Sequence, residues 1–214
     1  MADIRNKFFR LGLILGGFIF VVGATVFGIA YFTVNIPDPN SYVNSQATII
    51  QYADGSEIGR IGAQNRTIVP LANIPMQLRR AVLAAEDKNF FSHPGVDAKG
   101  VLRAVVNNIS NIISSKRLEG ASTITQQVAK NFLLTNEVSL NRKIKEAILA
   151  FRIERALSKQ RILELYLNQI YLGSGAYGVA AASLEYFDKS IQDLDYGEAA
   201  LLAALPKAPS RYNP

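Results

Sequence analysis

The sequence predicts a mostly α fold with one small β-hairpin, set behind a long apolar helix at the N-terminus. Three observations carry that reading. Leu11 to Val34 is a run of 24 residues without a charge. Two short strand-like segments flank a turn signal, Asp54-Gly55. From Ile74 onward, apolar residues recur at helical spacing almost without interruption. The 214 residues suffice for one soluble domain and an anchor. A hydrophobic content of 49% against 19% charged residues argues against disorder.

Composition excludes several classes of function. The net charge of +6 fits an anionic partner, lipid head groups or a phosphate-bearing substrate. Without a basic stripe it does not indicate nucleic acid. There is no cysteine, which removes disulfides, thiolate metal sites and cysteine nucleophiles. His93 is the single histidine, so a multi-histidine metal site has no support, and a Ser/His/Asp triad would depend on His93 alone.

In chain order, residues 1–10 form a short basic tail with Arg5, Lys7 and Arg10. Residues 11–34 are long enough to cross a bilayer as a helix, which takes about 20 apolar residues. A cleaved signal peptide is the alternative. Its apolar core is usually only about 7–15 residues, and no convincing small-x-small cleavage site precedes Pro37. The cations before the span predict a cytoplasmic N-terminus and an extracytoplasmic domain. Tyr31 and Phe32 stand where an interfacial aromatic belt belongs. Residues 35–46, with Pro37-Asp38-Pro39-Asn40, read as a linker.

The domain occupies 47–214. Ala47 to Tyr52 and Glu57 to Ile61 are the expected hairpin strands. Helices are expected over 75–87, 97–113, 122–134, 139–157, 159–171, 176–187 and 195–204, with Ser139 and Ser158 as N-caps. The final segment, Pro206 to Pro214, reads like a link cut short.

Four stretches hold the residues suited to chemistry. Glu86 and Asp87 end the first helix of the domain, beside Phe90, Phe91 and His93. A carboxylate held against apolar rings loses hydration and becomes a better proton acceptor; an exposed acidic pair is the plain alternative. Next, Gly120-Ala121-Ser122-Thr123-Ile124-Thr125-Gln126-Gln127, followed by Lys130 and Asn131, opens a helix with hydroxyls and amides. Such groups suit sugar hydroxyls and phosphate oxygens, and a helix start attracts anions. The plain alternative is an N-cap Ser122 followed by a polar surface turn.

In the third stretch, Glu146 falls between Leu149 and Ala150 on the helical wheel, with Ile153 in line and Arg142 and Lys143 on either side. It is either an ordinary Arg142–Glu146 surface pair or a buried carboxylate facing a site. The fourth stretch, Lys159 to Gly173, is mostly core, with Glu164 and Asn168 on another face as candidate hydrogen-bonding groups. Between these, Ile109, Ile112 and Ile113, followed by Lys116 and Arg117, make an apolar patch edged by cations. It reads as a core face or as shallow membrane contact.

Taken together, the ordered motifs Glu86-Asp87-x-x-Phe90-x-x-His93-x-Gly95, Gly120-x-Ser122-Thr123-Ile124-Thr125-Gln126-Gln127, Arg142-Lys143-x-x-Glu146 and Ile162-Leu163-Glu164-x-Tyr166-Leu167-Asn168 resemble the peptidoglycan glycosyltransferase domain of class A penicillin-binding proteins. The resemblance runs from about Ile49 to Pro214. It implies a lysozyme-like helical glycosyltransferase fold with a membrane-facing jaw, anchored in the plasma (inner) membrane by a single N-terminal transmembrane helix. It implies polymerisation of lipid II onto a growing glycan strand with inversion and release of lipid pyrophosphate.

Carried over residue by residue, Glu86 is the general base and Glu146 orients the donor pyrophosphate. Lys130, Arg142 and Lys143 offset its charge. Asp87, Ser122, Thr123, Gln126, Gln127, Asn131 and Glu164 are substrate contacts, and His93 is structural. No cofactor is implied with certainty; Mg2+ or Mn2+ at the pyrophosphate, near Glu146, is the candidate. Membrane lipid and other cell-wall synthesis proteins are the implied partners.

Two departures stand out. Val138 occupies a position where many members carry arginine, and neither Ser-x-x-Lys nor Lys-Thr-Gly occurs, so the transpeptidase signatures are missing. The expectation is a truncated bifunctional chain rather than a monofunctional relative. The competing readings are a lysozyme-like hydrolase or lytic transglycosylase with Glu86 as general acid, which the cations disfavour, and a silent glycan-binding module.

Overall fold

The computed structural model describes residues 2–33, 48–54, 57–61, 65–114, 120–133 and 139–212. Helix α1 runs unbroken over Ala2–Thr33. Strands β1 (Thr48–Gln51) and β2 (Glu57–Ile61) form the expected antiparallel hairpin, with an irregularity between Ile50 and Gln51. The linker at 35–46, Ala47, Gly55, Lys116, Arg117, Val138 and the last two residues lie outside the described residues.

The remaining helices appear close to where periodicity puts them. They are α2 (Met76–Glu86), α3 (Ala98–Ile113), α4 (Ile124–Leu133), α5 (Leu140–Ala156), α6 (Lys159–Gln169), α7 (Val179–Phe187), α8 (Tyr196–Ala204) and a final turn, α9 (Pro209–Tyr212). Ser139 and Ser158 cap α5 and α6 as expected, their hydroxyls accepting from Arg142 N–H and Arg161 N–H. A cap of this kind stabilises by about 1 kcal/mol.

Two helix starts differ by two residues or more, each for a local reason. The helix expected from 122 begins at Ile124, because Thr123 and Gln126 form a reciprocal capping box. Gln126 N–H donates to Thr123 Oγ1 at 3.1 Å, and Thr123 N–H donates to Gln126 Oε1 at 3.0 Å. Ser122 is therefore not the N-cap. The helix expected from 176 begins at Val179, because Ala176-Tyr177 is spent on β4, paired in parallel with β3 (Asn65–Arg66). Gly178 makes that change of direction with φ of 86°. A side chain there would meet the Asn168 carbonyl oxygen at 2.7 Å, so only glycine lets the strand pass so close to α6.

The core lies where α4 crosses α5 and α6 and where α2 packs on α8. Ile124, Val128, Ile148, Leu149, Ile153, Ile162 and Leu167 are fully buried, and Leu78 and Phe90 close it from the α2 side. Each such side chain stabilises by about 1.5–3 kcal/mol relative to exposure. Helix α3 does not join this core. Ala104 is buried, while Val101, Leu102, Val105, Val106, Ile109 and Ile112 are exposed. The expected apolar patch is thus one end of a face that begins two turns earlier.

Helix α1 meets the domain at α5. Phe27 stacks edge-on against Phe151 at 5.8 Å. The Arg152 guanidinium donates to the Tyr31 carbonyl and lies 5.2 Å from the Tyr31 ring. Among the described residues no helix is long and apolar enough to cross a membrane. The helix is observed; its spanning of a bilayer is carried forward as a proposal.

Candidate active site

Glu86 is the last residue of α2 and Asp87 its C-cap. The chain then turns through Phe90–Ser92 and His93 to Gly95. Asp87 is buried, and its carboxylate is engaged twice. His93 Nε2 lies 3.0 Å from Oδ2, which also accepts from Ile124 N–H at the start of α4. Gly95 N–H donates to His93 Nδ1 at 3.2 Å, so Nδ1 is the accepting nitrogen and Nε2–H donates to Asp87. Thr123 Oγ1 donates to the Gly95 carbonyl at 2.5 Å. Asp87 and His93 therefore hold the end of α2 against the start of α4.

Behind them, Lys159 Nζ donates to the His93 carbonyl and to Glu154 Oε1, which also accepts from Thr125. This ties α5 and α6 to the same loop. Gly95 fits tightly here: with φ of 104° its Cα faces the Ala150 carbonyl, 3.0 Å from where a Cβ would stand.

Two cavities open along this scaffold and share Ser122. The first, about 430 Å³, is lined by Glu86, Asp87, Asn89, Arg103 and Thr123 among others. Gln127 Nε2 donates to Glu86 Oε2 at 2.7 Å, so the partner of Glu86 is an amide rather than an aromatic ring. At the rim, Asp97 caps α3. The Asn89 amide and then Gly100 N–H hold its carboxyl below the usual carboxylate value.

The second cavity, about 510 Å³, is lined by Gln126, Gln127, Lys130, Asn131, Arg142, Lys143 and Glu146. Glu146 is 2% exposed. Lys143 Nζ donates to its Oε2 at 2.8 Å and to Ser122 Oγ at 2.9 Å. Arg142 Nε stands 3.5 Å from Oε1 without hydrogen-bond geometry, and that oxygen has no hydrogen-bond partner among the described residues. Arg142 and Lys143 flank the buried carboxylate and Lys130 lines the same cavity, so cations outnumber the acid and the chamber suits an anion.

Most expected site residues thus meet at one place. Glu164 does not. Its Oε2 accepts from Leu71 N–H at 2.7 Å and its Oε1 pairs with Arg161, and it lines neither cavity. In the structure Glu164 fastens the segment before α2 to α6, as Asn168 does through Val69. Sequence reasoning also passed over Arg103, Tyr171, Pro206 and Pro209, which line the cavities. No periodicity marks Tyr171, Pro206 and Pro209, which lie outside the long helices and are brought to the cavity by the fold.

The family model described as Transglycosylase matches residues 54–214. The chain is 49% identical over 213 residues to Penicillin-binding protein 1A of Rickettsia felis, covering 98% of this chain and 27% of that protein. It is 50% identical over 206 residues to Penicillin-binding protein 1A of Neisseria lactamica, covering 95% and 25%. The crystal structure of Penicillin-Binding Protein 1A from Haemophilus influenzae matches at 30% identity over 79% of this chain and 15% of that one, with a TM-score of 0.36, too loose a superposition to argue from. The chain spans about a quarter of the length of the curated relatives it matches.

Proposed function

The chain belongs to the transglycosylase family of peptidoglycan glycosyltransferases, and we propose that it polymerises lipid II into glycan strands at a membrane surface. The observation that carries this reading is a pair of carboxylates in adjoining cavities with opposite surroundings. Glu86 accepts from the neutral amide of Gln127, and Glu146 sits beside Arg142 and Lys143.

In this reading the acceptor sugar occupies the Glu86 cavity and the donor pyrophosphate the Glu146 cavity. Glu86 takes the proton of the acceptor hydroxyl as its oxygen attacks the donor anomeric carbon. The bond from that carbon to the pyrophosphate breaks, and the electron pair leaves with the phosphate. One displacement inverts the configuration. Lys130, Arg142 and Lys143 offset the charge growing on the leaving group. Ser122, shared by both cavities, Thr123, Gln126, Gln127 and Asn131 bind sugar and phosphate oxygens. Asp87 contributes by holding the cavity wall.

A divalent ion, Mg2+ or Mn2+, would meet one unpartnered oxygen of Glu146 and draw its other ligands from the pyrophosphate, whose charge it would help neutralise. Among the described residues no three of His, Cys, Asp and Glu gather as a metal site.

The membrane reading is supported by the 24 uncharged residues from Leu11 to Val34. The exposure of Phe9, Ile14, Phe18, Val21, Ile29 and Phe32 on α1 adds to it, since such a helix is at home only in an apolar medium. The exposed face of α3 belongs to the same surface, where the lipid tails of both substrates lie. The N-terminus is then cytoplasmic and the domain extracytoplasmic, and other cell-wall synthesis proteins are candidate partners.

The test is incubation of the detergent-purified chain with labelled lipid II, wild type beside Glu86→Gln. Long muramidase-sensitive strands made by the wild type alone support the reading. Shortening of added strands would replace it with a hydrolase.

A further inference from the structure

Tyr166 has no part in the chemistry described so far, yet it stands behind the base. Its ring on α6 is 1% exposed, and its hydroxyl lies 3.5 Å from Gln127 Oε1. The other end of the same amide donates to Glu86 Oε2 at 2.7 Å. The two contacts fix each other's direction. A carboxylate only accepts, so the NH2 edge of Gln127 faces Glu86. The amide oxygen then faces Tyr166, whose hydroxyl must donate. Burial first, then the charges of Glu86 and Asp87, push the phenol well above its usual value, so the donated proton stays on Tyr166.

We propose that Tyr166 is a positioning residue for glycosyl transfer, holding Gln127 so that Glu86 Oε2 is occupied and Glu86 Oε1 is presented to the acceptor hydroxyl. The inference rests on the reading of Glu86 as the base. Among the described residues the hydrogen bonds of Glu86 engage Oε2 alone. When the acceptor proton arrives on Oε1, Oε2 still accepts from Gln127, so the alignment survives the step, and neither Gln127 nor Tyr166 gives up a proton. Without the hydroxyl, the amide oxygen has no donor among the described residues. The amide is then free to rotate and to take Glu86 out of line.

The experiment measures kcat and KM for lipid II polymerisation by the full chain, from about pH 5 to pH 9. The variants are Tyr166→Phe, Gln127→Ala, the double variant, and Glu86→Gln as reference, with thermal melts for each. Tyr166→Phe is expected to lower kcat about tenfold with KM unchanged. It should also move the acidic limb to higher pH, because a loosened Gln127 stabilises the ionised carboxylate less. In the Gln127→Ala background the same change should cost nothing further.

Unchanged kcat and pH profile, or an equal loss in both backgrounds, would overturn the inference. An inactive Glu86→Gln beside an unaffected Tyr166→Phe removes the positioning role alone. An active Glu86→Gln removes the base assignment itself. Where Tyr166→Phe melts early, Gln127→Asn breaks the same link from the cavity side and carries the same expected loss.

Discussion

Glu86 and Glu146 stand in adjoining cavities of the same fold, and their direct partners differ in charge. The hydrogen bond recorded at Glu86 comes from a neutral amide. Glu146 is nearly inaccessible and clasped by Lys143, with Arg142 close by. A carboxylate tied to a cation resists protonation, because the bond it would lose is charge-assisted. In the proposed reading, proton transfer and charge compensation are thereby separated in space, so that neither spoils the other.

Abolishing the proton acceptor should have the largest effect. Glu86→Gln should reduce polymerisation by about 10³-fold or more, with the melting temperature unchanged, since the amide replaces a half-buried acid. Making the two ends alike should come next. Gln127→Lys sets an ammonium against Glu86, and turnover should fall about 100-fold, with the acidic limb moved to lower pH as the pair holds the carboxylate ionised. Lys143→Ala strips the second cavity of one donor and should raise KM for the donor and lower kcat, about 10- to 100-fold in kcat/KM. A pH profile like that of the wild type would confirm that the proton acceptor is elsewhere.

The smallest effect lies at the rim. Asp97→Ala should cost about 1 kcal/mol of stability through lost capping and leave turnover intact. The folded carboxyl of Asp97 titrates below its unfolded value. Its contribution is therefore present above the unfolded pKa and fades as pH falls through the folded one, so the melting gap between wild type and Asp97→Ala should close in acid.

The helices were legible because apolar residues recur along each at helical spacing, buried in α2, α4, α5 and α6, and Ser139 and Ser158 announce two of them. The wheel around Glu146 foretold its burial for the same reason: Leu149, Ala150 and Ile153 share its side of α5 and are all buried. The start of α4 was not legible to the residue, since Thr123 and Ser122 compete as caps and only the reach of Gln126 decides between them. The bond of Glu164 to Leu71 N–H was not legible, because the two are 93 residues apart. Tyr166 reads as plain core by its spacing with Ile162. Its polar end matters only because α4 carries Gln127 past it, and a link between separate helices leaves no periodic trace in either.

The clasp of Arg152 on the end of α1 has a consequence for scale. Arg152 and Glu146 lie on one rigid helix, six residues and about 9 Å of axial rise apart. With α1 in the bilayer as proposed, α5 acts as a gauge rod between the lipid surface and the charged chamber. Substrates whose tails share that sheet of lipid then arrive with their pyrophosphates already at working height. The search that remains for them is two-dimensional.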